Sequence, residues 1–446
     1  MRRSPHNRPP AWMLSCLLFL VVFLSPLFPA SSEAEGIEKA YELGGHFKSS
    51  LAAFWPHSES ILNQGEREVL WNYRSELRMK GCYILNDWSE FEVHSESIYL
   101  SSETRRRILQ LQKDGPGWSP QYLGFPEEAD DTSRLMDLTL TTEKGNHQVI
   151  INRLDRLSLI LSPRWGMITI GRQAISWGHG FLFHPMDIFA PFPPAALDRD
   201  YKRGEDALLG QIHVTRPNSE MQFLYIPRRD IEGRNIRWAD SSLAGRYHFF
   251  LPGTEAEMTL LAGVHYEDTI MGIGNVGYLG KAAWRFDLTL TNLHEKGDTF
   301  ISSVINLDSA WDWWGVHCYG WIEYYYNGLG RAARDYARAM TQEALRERLD
   351  RQELFVCGRH YLDTQIKVEF HPLVHFFFHT VTNIADPSGY VQPWLVWDMT
   401  ANTKVNLAST HSWGETGTEF GGVRVDWTPF TSRRPDEVSL WITLFF

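Results

Sequence analysis

The sequence predicts an all-β fold, a single antiparallel β-barrel whose strands cross a membrane. Three observations predict it. Apolar and polar residues alternate with a period of two along the chain, an export-type leader is followed by no apolar run long enough for a spanning helix, and the last strand is amphipathic and ends at Phe446.

The N-terminus reads as an export signal. Arg2, Arg3 and Arg8 supply a basic stretch, residues 12–28 an apolar one, and Ser32-Glu33-Ala34 the small residues a signal peptidase requires. Cleavage after Ala34 is expected, leaving 1–34 as a leader and 35–446 as the barrel. Cys16 lies inside the apolar run and gives no lipoprotein signal. Beyond the leader no window reaches the roughly 18 consecutive apolar residues that a spanning helix needs, which excludes a helical membrane protein.

Composition narrows the field less. A net charge of −11 and a mean hydropathy of −0.30 suit a soluble protein, and equally a barrel in which every second strand residue faces a polar lumen. The 18 Trp, 17 Tyr and 25 Phe suit interfacial girdles, though sugar-binding enzymes are also rich in Trp. Cys82, Cys318 and Cys357 are odd in number and far apart, so they form neither a disulfide framework nor a metal-ligand pattern. The acidic balance, with no basic patch, argues against nucleic acid.

The alternation is explicit in several segments. Trp284, Phe286, Leu288 and Leu290 face one way, and Arg285, Asp287, Thr289 and Thr291 the other. Met258, Leu260, Ala262 and Val264 oppose Thr259, Leu261, Gly263 and His265, while Ile366, Val368 and Phe370 oppose Gln365, Lys367 and Glu369. Leu208, Ile212 and Val214 do the same against Gln211 and His213. Such a period belongs to strands with two unlike faces. Ser162-Pro163-Arg164, Arg216-Pro217-Asn218, Pro252-Gly253, 295–298 and 386–389 supply turn residues between them. Longer irregular stretches fall near 101–132, 178–204 and 411–420. At about 25 residues per strand with its share of loop, roughly 16 strands are expected.

The final strand sets Val438, Leu440, Ile442, Leu444 and Phe446 on one face. It resembles the terminal strand of outer-membrane proteins, and the resemblance implies recognition of Phe446 by the barrel-assembly machinery. One segment breaks the pattern. Residues 331–353 read as an amphipathic helix carrying Tyr336, Met340, Ala344 and Leu345. A helix cannot sit lipid-exposed within a β-wall, so it belongs to a loop or to the lumen as a plug.

Residues 150–205 hold the densest motif. Gly171-Arg172-Gln173-Ala174-Ile175-Ser176-Trp177-Gly178 is followed by Pro185-Met186-Asp187-Ile188-Phe189 and by Asp198-Arg199-Asp200-Tyr201-Lys202. This string resembles a group of porin-like outer-membrane proteins of Gram-negative bacteria, largely uncharacterised. The resemblance implies a β-barrel in the cell outer membrane, in contact with its lipid, and passive or facilitated passage of solutes. Read physically, a proline-stiffened segment with Phe181, Phe183, Phe189 and Phe192 to bury folds against the inner wall and narrows the lumen. Arg172, Asp198, Arg199, Asp200 and Lys202 would then place charge at the constriction, where charge sets selectivity, or pin the segment to the wall as salt bridges. Both can hold at once.

Enzymatic constellations were weighed against this. His179, His184 and Asp187 lack metal-ligand spacing. Asp198 with Asp200, or Glu205 with Asp206, offers paired carboxylates, but loops at a barrel rim commonly contain such pairs. No Gly-x-Ser-x-Gly elbow is present, and Ser176 beside His179 is a poor substitute. Gly272-Ile273-Gly274-Asn275-Val276-Gly277 matches a dinucleotide fingerprint by letter, yet alternation rather than a helix follows it, so it reads as a loop between strands. No enzyme activity, cofactor or metal is expected. The leading expectation is a channel for small hydrophilic solutes. A plugged barrel acting as receptor or adhesin is the alternative, and a secreted β-rich polysaccharide-acting enzyme is the remoter one. Homo-oligomerisation, common among porins, has no marker in the sequence.

Overall fold

The structure, a computed structural model, describes residues 41–446 except 64–68, 115–129, 215–217, 231, 234, 296, 333, 335, 337–341, 426 and 427. The expected leader lies outside the described residues, and so do Met340 and the turn residues Arg216 and Pro217.

The strands are β1 (Tyr41–Trp55), β2 (Leu70–Asn86), β3 (Ser89–Ser102), β4 (Thr139–Lys144), β5 (Gln148–Leu161), β6 (Gly166–Gln173), β7 (Glu205–Val214), β8 (Ser219–Ile226), β9 (Ser242–Phe250), β10 (Glu257–His265), β11 (Asp268–Leu279), β12 (Ala282–Asn292), β13 (Thr299–Trp313), β14 (Val316–Asn327), β15 (His360–His371), β16 (Val374–Asn383), β17 (Ser388–Thr400), β18 (Thr403–Trp413) and β19 (Asp436–Phe445). Two short helices, α1 (Glu103–Asp114) and α2 (Glu343–Asp350), lie in connections.

Every strand pairing is antiparallel, and β1 closes the ring by pairing with both β2 and β19. Of the 19 strands, 18 form the closed barrel, because β3 pairs directly with β5 while the short β4 adds to the other edge of β5 above β6. The expectation of 16 strands is therefore corrected to 18. It overcounted residues per strand, since several reversals take only two residues, at 280–281, 314–315, 372–373 and 401–402. Gly280 and Gly315 have positive φ (64° and 78°), the dihedral that such tight hairpins require.

The two rims differ. The rim bearing Tyr41 and Phe446 carries those two-residue turns, and Gly45 exchanges backbone hydrogen bonds with Phe446 there (2.9 and 3.1 Å). The opposite rim carries the long connections 56–69, 103–147, 174–204, 227–241, 328–359 and 414–435. The irregular stretches expected from sequence all fall on this rim.

Burial is inverted relative to a soluble protein. On β19 Val438, Leu440, Ile442 and Leu444 are 38, 43, 42 and 45% exposed, while Ser439 and Thr443 between them are buried. Leu208, Leu260, Leu290 and Ile366 point outward on their strands and Thr259, Asp287 and Thr289 inward. An apolar outer band over a polar interior is the signature of a lipid-facing barrel. Trp88, Trp165, Trp311, Trp313 and Trp314 cluster, exposed, near the short-turn rim, and Trp55, Trp71 and Trp413 near the other, where amphipathic rings meet lipid headgroups.

Two sequence expectations change here. Gly272–Gly277 is not a loop but part of β11, paired with β12 along its length. Its inward glycines make room: a Cβ on Gly274 would come within 2.8 Å of the His179 ring, and one on Gly272 within 3.4 Å of Met186. Among the described residues of the expected 331–353 helix, Tyr336 and Glu343–Asp350 are helical, and 337–341 lie outside them. Arg331 bridges Gly358 as extended chain, and the helix runs from Glu343 to Asp350. Gln352 turns left-handed (φ 59°) and lets Glu353 N–H return to the Arg348 carbonyl, ending the helix. Its buried face sets Ala344, Leu345 and Leu349 against Tyr336, Leu329 and Leu293 at the loop rim.

Candidate functional site

The 31 residues from 174 to 204, between β6 and β7, run inside the barrel along its wall. Their side chains and amides meet the wall almost in strand order. Trp177 Nε1 donates to Gln222 on β8 (2.7 Å). The His179 amide donates to Asp287 on β12 (2.6 Å), and the His179 ring Nδ1 lies 2.6 Å from the other carboxylate oxygen.

β14 supplies the next hold. The backbone amides of Phe181, Leu182 and Phe183 all donate to the Glu323 carboxylate, at 2.6, 3.0 and 2.9 Å, and Asn306 on β13 adds a fourth donor at 3.1 Å. A buried carboxylate is tolerable only when so satisfied. The Phe181 ring stacks on Trp321 (5.0 Å, 11°) and that of Phe183 on Tyr325 (4.3 Å, 10°).

The chain then doubles back. Met186 and Phe189, almost fully buried, fill an apolar cluster with Leu224, Leu261 and Ile270 of β8, β10 and β11. Burial raises the Asp187 carboxyl to about 6 although Lys202 pulls it down, and burial likewise lowers Lys202 against the attraction of Asp187. The pair is a direct hydrogen bond, and Lys202 also reaches the Ile175 carbonyl. Both ends of the segment are thereby tied together.

The return leg continues around the ring. Ala195 O accepts from Gln392 on β17 (3.1 Å). Arg199 donates to three carbonyls, those of Pro194 (2.9 Å), Ala196 (3.0 Å) and Phe181 (3.0 Å), and so clamps the outward and return legs to each other. Lys48 on β1 binds Asp198 (2.5 Å) and Asp200 (3.1 Å). The Tyr201 ring stacks on His46 (5.3 Å) and lies under the cations of Arg78 (4.1 Å) and Lys80 (4.3 Å) of β2. Arg156 on β5 then holds the Lys202 carbonyl (2.5 Å) before β7 begins.

The five charges expected at a constriction thus fall into two groups. Arg172 is fully buried: it binds Asp206 through two bonds (2.8 and 3.0 Å) and Asp131 (2.9 Å), with the Met136 carbonyl at 2.8 Å. Lys202 is buried on Asp187, and Arg199 is half-buried on backbone. Asp198 and Asp200 keep 45 and 55% of their side chains exposed.

Of the wall residues that hold this belt, Asp287 was legible only as an inward strand position, and Lys48, Arg78, Glu323 and Gln392 escaped the sequence reading. Their one signal was a charged or amide side chain at an inward position of an alternating strand.

The arrangement offers little chemistry. His179 Nε2 lies 3.4 Å from Thr259 Oγ1, with Asp287 behind the ring, which has the order of a nucleophile, base and acid. Thr259 is 1% exposed and its hydroxyl also meets His248 at 3.1 Å, so no substrate reaches it. Ser176 takes no part in that network. Among the described residues no set of three or more His, Cys, Asp or Glu side chains has metal-binding geometry.

A closed, inside-out antiparallel barrel with an inward-folded belt defines the class: this is the porin fold of outer membranes. No family model matches the chain, and no curated protein is similar to it in sequence. Solved structures do match. Acinetobacter baumannii OccAB2 superposes with a TM-score of 0.52 at 6% identity, over 92% of this chain and 99% of that one. OccAB1 of the same organism gives 0.50 at 8% identity over 94 and 99% of the two chains. A BenF-like porin from Pseudomonas fluorescens Pf-5 gives 0.50 at 8% identity over 91 and 98%. At these identities the likeness is one of fold.

Proposed function

We propose that this protein is an outer-membrane channel through which small hydrophilic solutes diffuse, with residues 174–204 as its constriction. The belt that follows the inner wall, tied to β8, β12, β14, β17, β1 and β2, carries this reading, because a segment fixed at that many points narrows a lumen without wandering in it. The porin fold and the polar inward face of the strands support it.

Asp198 and Asp200 present their charge to the lumen, Lys48 opposes them from the wall, Arg199 shapes the belt between, and Arg172 and Lys202 anchor its ends. Phe446, paired into the closing strands, serves as the assembly signal in this reading.

Single-channel conductance in a planar bilayer, with selectivity read from a salt gradient, tests the proposal. Stepwise currents are expected, with cation preference falling in the double variant Asp198→Asn, Asp200→Asn. Silence from a folded, inserted protein would overturn the channel in favour of a receptor or adhesin. Unchanged selectivity in that variant, and in Arg199→Gln, would remove the belt from the constriction.

A further inference from the structure

Between the proline-rich stretch of the belt, the β11–β14 wall and the loop after α2 lies an open-mouthed cavity. It sits on the loop side of the belt, beneath Arg348 and Glu353. Its apolar lining includes five aromatic rings, those of Phe183, Phe192, Phe300, Tyr325 and Phe355. Flat apolar walls of this kind hold a ring-shaped ligand through dispersion and burial.

The charged side chains on its wall are already matched. Asp187 holds Lys202, Arg348 holds Asp268 (2.6 Å), and Glu353 holds His265 (2.9 Å) and Arg351 (2.8 Å). A charged ligand would have to break one of these pairs, and a broken buried pair leaves an uncompensated charge.

Asp187 Oδ1 is left without a partner, an acceptor that also suits a hydroxyl, and the other unspent groups, His184 and Thr291, are neutral. The His184 imidazole and the Thr291 hydroxyl line the cavity, and neither has a side-chain hydrogen bond to any described residue; Thr291 is 96% buried by its 4% exposure. Burial, with Arg199 and Lys202 nearby, lowers His184 to about 4, so at neutral pH the ring offers one donor and one acceptor. Buried polar groups without partners call for a ligand or water that supplies them.

We infer that this cavity is a binding subsite for small uncharged solutes that carry a ring and a hydroxyl group, seated among the aromatic side chains with the hydroxyl on His184 and Thr291. The inference rests on the channel reading for its purpose, as a station on the solute path, but not for its geometry.

Fluorine NMR of the whole detergent-purified protein tests it, with p-fluorophenol as the neutral probe and p-fluorobenzoate as its charged counterpart. Saturable binding of the phenol is expected, weakened about three- to tenfold in His184→Ala and in Thr291→Val, as loss of one hydrogen bond predicts. The benzoate should bind at least tenfold more weakly than the phenol, by about the same free-energy scale. Benzoate binding as tight as phenol, or phenol binding unchanged in both variants, would overturn the assignment. Thr291→Val preserves shape and so keeps the test valid if His184→Ala fails to fold. A conducting protein that ignores the phenol sinks this inference alone; a phenol-binding protein that never conducts sinks the channel reading alone.

Discussion

The Glu323 carboxylate on β14 accepts the Phe181 backbone amide at 2.6 Å, the shortest of three consecutive belt amides that converge on one side chain. A strand residue thus does for the belt what a helix cap does for a helix: it satisfies amides that have no partner of their own.

Removing that acceptor should free the middle of the belt. Glu323→Ala is expected to destabilise the protein by about 2–4 kcal/mol, from three charge-assisted bonds and stranded buried amides. In bilayers its open-channel current should be larger and noisier than that of the wild type. Equal conductance and equal noise would show that Glu323 does not hold the belt.

Arg172 is a second, mechanically distinct anchor. Arg172→Met leaves Asp206 buried without its cation and Asp131 with Arg134 alone, which is expected to cost about 3–5 kcal/mol. The denaturant midpoint of refolded protein checks this. A change of less than 1 kcal/mol (about the worth of a surface pair) would mean that solvent already screens the site.

The loop after α2 should be sensitive to acid. Burial works against ionising Glu353, but Arg351 and His265 prevail and hold it down at about 2. A carboxyl with a depressed folded pKa contributes stability above its unfolded value of about 4.5, and that contribution is lost as pH falls toward about 2. Protease nicking of residues 343–356 should therefore rise between those two values in the wild type. In Glu353→Gln the nicking should already be high at neutral pH and nearly flat with acid.

The outer face predicts its own experiment. Ile305, midway along β13, is 50% exposed and points to lipid, so Ile305→Arg should cost about 2–4 kcal/mol of folding free energy in bilayers. Neighbouring Asn306 faces inward and binds Glu323, so the two adjacent positions should differ in kind. A negligible cost at Ile305 would mean that this strand faces water or protein.

Much of the architecture was written in the sequence. The period of two in segments such as 258–265 and 284–291 fixes which side chains face lipid, because successive side chains on a strand must point to opposite faces. Pro and Gly punctuation marked some reversals, such as 162–164, 252–253 and 386–389, and the length and prolines of 178–204 marked it as a folded insertion. The count of strands was not legible, since two-residue turns such as 314–315 and the half-length β4 leave no spacing signal. Gly272–Gly277 misled for a related reason: its glycines answer to His179 and Met186, residues some 90 positions away that only the closed barrel brings against them. The same holds for the belt's partners. Lys48 meets Asp198 across 150 residues, and Phe181 meets Glu323 across 142. Local physics, the alternation and the turns, was determined by the sequence alone. Which charge is sealed away with its partners and which keeps half its surface open to solvent, as between Arg172 and Asp198, was decided only when register and ring closure set the depth of each pair.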